Sequence, residues 1–199
     1  MTTERNALAL RVDVLGPLEL HVEGRDVPVP GTRRRALLAL LALEGGRPVG
    51  ARRLVDSLWP DDVPDNALQA LYNHVSRLRG HLGPLAGRLE RAGTGYRLSL
   101  LPDELDVDAV RRITATASDA GSLRAALDLW RGPALEEFGE MPALQAERVG
   151  LDELRATVLD QLLEARLAED DPGLVVDAAA AAEAAPFRER TTLVLVRAL

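Results

Sequence analysis

From Leu8 to Val29 apolar residues alternate with polar ones in short runs: Leu10, Val12 and Val14, then Leu18, Leu20 and Val22, then Val27 and Val29. Gly16-Pro17 and Gly24 break the runs, and period-two segments punctuated in this way predict a three-stranded antiparallel sheet. The period then changes. Thr32 is placed to cap a helix whose interior, Ala36 to Leu43, is apolar on nearly every side, so that helix should be buried between other elements rather than lie on the surface. Gly45-Gly46 stops it. Ala51, Leu54, Val55, Leu58 and Trp59 make a second helical stripe that ends at Pro60. A third helix opens within Asp62–Asn66, with Leu68, Leu71, Val75, Leu78 and Leu82 as its predicted inward row. Arg88–Arg91 and Tyr96–Leu100 read as strands, and Gly93-Thr94-Gly95 between them is hairpin chemistry.

Beyond Pro102 the strand signals stop. Asp106 or Asp108 opens a helix to about Ser118, and Ser122 is placed to cap another that carries Leu123, Ala126, Leu127 and Trp130 and closes at Gly132-Pro133. Pro142 begins a longer helix to about Ala168, with Leu144, Leu151, Leu154, Val158, Leu162 and Ala165 inward. Pro172 starts an alanine-rich helix ended by Pro186, and a last one opens at Phe187. This half reads as an all-α, tetratricopeptide-like array of helix pairs. Leu193, Leu195 and Leu199 would be poorly covered in an array ending there, so the natural chain is expected to continue beyond Leu199.

Three strands, three helices and a terminal hairpin make a winged helix-turn-helix, the third helix in the recognition position and the hairpin as wing. At 100° per residue, the side opposite the leucine row presents Asn66, Gln69, Ala70, Asn73 and Arg77, with Ser76 at its margin. Asn and Gln can pair bidentately with adenine and Arg with guanine, so these residues are the candidate base readers. Arg33, Arg34 and Arg35 lie in a first helical turn, where cations oppose the helix dipole. Phosphates would offset that penalty, and Arg52-Arg53 repeats the arrangement at the second helix, so all five are candidate DNA-backbone contacts. On the wing, Arg91, Thr94 and Arg97 can approach the minor groove or its phosphates. Arg79 points to the helix flank and reads as structural or phosphate-side. Tyr96 reads as packing the wing onto the third helix, and Trp59 and Trp130 as core.

Composition narrows the alternatives. The 199 residues contain no cysteine and no lysine, all 24 basic residues being arginine. Thiol chemistry, disulfides, thiolate metal sites, a Walker-type phosphate loop and a Schiff-base lysine are therefore excluded from this sequence. His74 and His81 are too far apart along one helix for a single metal, and no catalytic grouping is evident; no enzyme activity, metal or cofactor is expected. The net charge of −7 divides into +3 for residues 1–100 and −10 for residues 101–199, so only the first half suits a polyanion. No run is long and apolar enough to span a membrane and the leader is too polar for a signal peptide, so a cytoplasmic protein is expected.

The chain also resembles a known family. Leu54-Val55-Asp56-Ser57-Leu58-Trp59-Pro60, Val75-Ser76-Arg77-Leu78-Arg79 and Gly95-Tyr96-Arg97-Leu98 are similar, in order, to motifs of the SARP (antibiotic regulatory protein) activators, which carry an OmpR-type winged helix. Ala126-Leu127-Asp128-Leu129-Trp130-Arg131-Gly132-Pro133-Ala134-Leu135 and Glu147–Leu154 resemble the same family's bacterial transcriptional activation domain. The resemblance implies an activator that binds direct repeats of double-stranded DNA near a promoter, as a homodimer or as head-to-tail protomers, recruits RNA polymerase holoenzyme and controls a secondary-metabolite gene cluster. It implies base-reading roles for Gln69, Asn73, Ser76 and Arg77 and wing roles for Thr94 and Arg97. Gly50 departs from the family's Ser or Thr at that helix start, and Asp65-Asn66-Ala67 from its alanine-rich one. The expected organisation is a disordered leader (1–7), an OmpR-type DNA-binding domain (8–101), a linker (102–105) and a helical activation domain (106–199), nucleoid-associated when bound. The competing reading is a helical interaction scaffold whose winged helix no longer binds DNA.

Overall fold

A computed structural model describes residues 10–139 and 141–199; the expected leader, residues 1–7, lies outside them. β1 (Leu10–Asp13), β2 (Glu19–Val22) and β3 (Arg25–Asp26) form the first antiparallel sheet, in that order. Leu10 faces Val22 and Val12 faces Leu20 on the buried side; Arg11 faces His21 and Asp13 faces Glu19 on the other. The third strand is shorter than the pattern implied and excludes both Val27 and Val29. Glu23 (φ 51°) and Gly24 (φ 74°) turn the chain tightly between β2 and β3, as a two-residue hairpin with both central residues left-handed requires.

α1 (Thr32–Leu43), α2 (Ala51–Leu58) and α3 (Ala67–Leu82) follow, with the two-residue strand β4 (Val49–Gly50) before α2 and a 3-10 turn (Gly83–Arg88) after α3. β5 (Leu89–Ala92) and β6 (Gly95–Leu98) are the wing, and the second sheet has the order β4-β6-β5. β4 was invisible in the sequence pattern because two residues carry no period. As anticipated, α1 is buried on several sides, with Ala36, Leu37, Leu38, Ala39, Leu41 and Ala42 fully covered. Its cap is not the expected one: Gly31, at φ 92°, precedes the helix, accepts the Arg34 and Arg35 amides and leaves Thr32 as the first helical residue.

The helical elements are α4 (Asp106–Thr116), α5 (Ala120–Leu127), α6 (Pro142–Ala168), α7 (Leu174–Ala184) and α8 (Glu189–Ala198). The Asp119 carboxylate, rather than Ser122, caps α5, accepting the Ser122 amide at 2.8 Å. Phe187 stays outside α8 and is almost wholly exposed. Compactness divides the chain differently from the expected 8–101 and 106–199. One unit reaches to Ala109 and includes Trp130–Leu151; the other is Val110–Leu129 with Asp152–Leu199.

Residues 102–105 are not a free connector in the first unit. The Val12 amide donates to the Glu104 carbonyl at 2.8 Å, and the fully buried Glu104 carboxylate accepts from Arg88 (2.9 Å) and the Leu101 amide (2.6 Å). Asp106 Oδ2 accepts the amides of Val14 and Leu15, both at 2.8 Å. Arg131 donates its amide to the Leu15 carbonyl at 2.8 Å and pairs with Glu19 at 2.5 Å. Four residues without periodicity read as a linker from sequence because the Glu104 carbonyl meets its partner, the Val12 amide, 92 positions back along the chain. In the second unit Leu163, Leu174, Ala178 and Val194 form a core edged by Leu159, Leu167, Ala181, Leu195 and Ala198. The exposed Leu193 and Leu199 lie outside that core, whereas Leu195 is partly covered by it.

Candidate nucleic-acid interface

α3 packs against α1 and α2 through Ala67, Leu71, Val75, Leu78 and Leu82, all buried. Leu68, predicted to be the first inward leucine, is 50% exposed. The helix is rotated so that Ala67 takes that place, and a row at i, i+4, i+8, i+11 and i+15 leaves Leu68 about 60° off the buried centre. The rotation also reorders the outer face. Gln69, Asn73 and Ser76 lie nearest its middle and are exposed; Asn66 and Arg77, also exposed, flank one side and Tyr72 the other. Ala70, predicted on this face, is half-buried. The Gln69 amide can donate to Asn73 Oδ1 at 3.4 Å, so the two carboxamides stand side by side one turn apart. No residue of α3 is acidic, so nothing on this face repels phosphate.

The wing is fastened to this helix. Arg79 Nε donates to the Leu89 carbonyl at 2.8 Å, which makes it the structural arginine that its flank position suggested. Tyr96 is buried, its ring edge-on to Tyr72 at 6.5 Å. Gly95 lies against β4: a Cβ there would come 1.8 Å from the Val49 carbonyl oxygen, so no larger residue fits. Next to it, the Thr94 carbonyl accepts the Ala51 amide at 3.2 Å. The wing backbone thus supplies an acceptor at the start of α2, where Gly50 offers no side-chain cap.

The seven arginines and one threonine predicted to meet the backbone or to form the wing do not stay together as one class. Arg33 is exposed and lies over the buried Trp59 ring, 5.6 Å from its centroid. Arg52, Arg91 and Thr94 are exposed as well, and neither Arg52 nor Arg91 has a carboxylate partner among the described residues. Arg53 is exposed but reaches Glu44 Oε1 at 2.7 Å. Arg34 is turned inward, its guanidinium 3.3 Å from His81 Nε2 and its Nε without an acceptor. Arg35 binds both Glu137 oxygens, at 2.5 and 2.7 Å, and the Leu18 carbonyl at 2.6 Å. Arg97 is half-buried against Glu90, at 2.7 and 3.1 Å. Arg34, Arg35 and Arg97 are therefore not offered to a phosphate in this arrangement. The dipole penalty that suggested a polyanion for Arg35 is offset instead by a carboxylate some hundred residues along the chain.

Sequence reasoning gave no role to His74, which lies between these cations. Burial first, and then the fields of Arg34, Arg33 and Arg77, pull its pKa below the ordinary imidazole value. Burial and Arg34 do the same to His81. Both imidazoles are thereby kept neutral while the guanidiniums around them stay charged, and the side of α3 toward α1 carries a concentrated positive field. On the first sheet, Asp13, Glu19 and His21 bring ligand atoms within 4.8 Å of one another, a grouping missed because register alone assembles it. Arg11, at 2.8 Å, and Arg131, at 2.5 Å, already hold its two carboxylates.

Comparisons with known proteins agree with this geometry. Residues 27–98 match the family described as "Transcriptional regulatory protein, C terminal", and residues 103–199 match the bacterial transcriptional activator domain. The regulatory protein AfsR of Streptomyces coelicolor is 37% identical over 98% of this chain and 21% of its own length. DnrI of Streptomyces peucetius is 32% identical over 79% of the chain and 65% of its own. A solved structure of Mycobacterium tuberculosis EmbR, in complex with a low-affinity phosphopeptide, superposes with a TM-score of 0.85 at 28% identity, covering 96% of this chain and 54% of that one. The chain thus spans between a fifth and two thirds of the length of these relatives. Among its described residues no helix is long and apolar enough to cross a membrane. With a winged helix and an activator domain in this order, and with such relatives, the chain belongs to the SARP family of transcriptional regulators.

Proposed function

We propose that this chain is a sequence-specific DNA-binding activator, with α3 lying in the major groove and the wing against the adjacent backbone. Gln69, Asn73 and Ser76 are its central base readers, with Asn66 and Arg77 at the edge. Arg33, Arg52, Arg53, Arg91 and Thr94 hold phosphates. The observation that carries this reading is the exposed, acid-free face of α3, on which two carboxamides and a guanidinium stand beside a cluster of cations. Direct repeats occupied by head-to-tail protomers or a homodimer, recruitment of RNA polymerase holoenzyme by the helical part, control of a secondary-metabolite gene cluster and a cytoplasmic, nucleoid-associated location complete the proposal. They rest on the family and on relatives such as DnrI.

Selection of duplexes from a random pool, followed by affinity against salt, tests it. Enrichment of a repeated motif is expected, with log K falling linearly in log salt. Asn73→Ala should then weaken the selected duplex by about 1 to 3 kcal/mol while leaving scrambled DNA unaffected. Absence of enrichment, or equal losses on both duplexes, would reject α3 as the reading element.

A further inference from the structure

Leu68 and Tyr72 lie along one flank of α3, 50% and 38% exposed, four residues apart and so stacked one turn above the other. A lone exposed leucine needs no explanation on a soluble protein. These two do, because they form a second row parallel to Gln69 and Asn73, which share a hydrogen bond. The apolar row is also held in place: Tyr72 meets the buried Tyr96 of the wing edge-on, and Leu68 lines a hollow with Val63, Gln69 and Arg52. A hydrocarbon row beside an amide row, with a guanidinium at its margin, has one natural complement in duplex DNA. The thymine C5-methyl is the apolar group on the major-groove edge of the bases, and each adenine addressed by a carboxamide is paired with a thymine in the same groove.

We infer that Leu68 and Tyr72 are specificity-determining residues that cover thymine methyl groups next to the adenines read by Gln69 and Asn73, so that the operator is read as methyl and amide together. This rests on the DNA-reading proposal above, and the experiment separates the two. The full 199-residue chain first selects a duplex, and failure to select one sinks both. Each thymine of the selected duplex is then replaced singly by deoxyuridine, which removes the methyl and keeps every hydrogen-bonding atom. One or two positions should lose roughly fourfold in affinity, the effect of one buried methyl. Leu68→Ala should bind the thymine and uracil duplexes alike at one of those positions, while Leu68→Met and Tyr72→Phe, which keep the hydrocarbon, should still discriminate. Uniform tolerance of uracil, or undiminished discrimination by Leu68→Ala, would overturn the inference and leave DNA reading by the amides standing.

Discussion

The open arginines of the first compact unit do opposite work to the clasped arginines of the second. In the second, Arg188 donates to Asp160 at 2.7 Å and to both Glu153 oxygens, and Arg166 binds Asp171 at 2.7 Å and Asp177 at 2.5 Å. These guanidiniums are internal clasps, and their pKa values are raised by the hydrogen bonds to those carboxylates. In the first unit Arg33, Arg52, Arg77 and Arg91 face solvent with no carboxylate partner among the described residues. A guanidinium matched within the fold adds stability; an unmatched one costs little in water and keeps its charge for a polyanion. Net charge alone does not make this distinction. It depends on where the acids are, and α3 has none.

The largest effect should come from opening a clasp. Asp160 is 1% exposed and also accepts the Thr191 hydroxyl at 2.7 Å. Arg188→Ala should cost about 4 kcal/mol in urea unfolding by leaving that carboxylate unmatched, with DNA affinity of the folded protein unchanged. A loss as small as that of a surface substitution would break the comparison.

Next comes a buried aspartate treated differently. Asp106 is 5% exposed, but backbone amides hold it and the Arg131 guanidinium comes only to 3.9 Å. Burial pushes its pKa up to about 6, the Leu15 and Val14 amides resisting and Asp13 adding to the rise. The folded state therefore retains a proton that the unfolded state releases between pH 3.8 and about 6. The contribution of this group is greatest below that window and is lost as pH rises through it, by about 3 kcal/mol in all. Urea midpoints across pH 4 to 7 should show this slope, and Asp106→Asn should flatten it; an unchanged slope in the variant would assign the effect elsewhere.

Smaller still is the contrast inside α1. Arg35→Ala should lower stability by roughly 1 to 2 kcal/mol, through the loss of a charged hydrogen-bonded pair with Glu137, and leave the salt slope of DNA binding intact. Arg33→Ala should do the reverse, reducing that slope by about one with stability altered by less than about 0.5 kcal/mol. If both substitutions lower the slope, Arg35 exchanges Glu137 for phosphate on binding, and the division between matched and open arginines fails at that position.

Much of the architecture was legible because it is periodic. Alternation marked β1 and β2, the 3.6-residue rows marked α2, α3 and α6, and Gly45-Gly46 and Pro60 marked the ends of α1 and α2. The amide face was legible too, since a helix that buries one row must expose the opposite one. Its fine rotation was not: Leu68 and Ala67 are both apolar, and only packing against α1 and α2 decides which turns inward. That choice moved Ser76 toward the centre of the face and Arg77 to its edge.

What the amino-acid order determined by itself was local: element type, the residues available to bind, the exclusion of thiol and lysine chemistry, and the motif series that places the chain among SARP regulators. What only the tertiary structure decided was which charges are already spent. Arg35, Arg97 and Arg188 could not be told from Arg33, Arg91 and Arg77 by neighbouring residues, because a salt bridge depends on a few ångströms in space. Glu137 lies 102 positions from Arg35 yet 2.5 Å from its guanidinium.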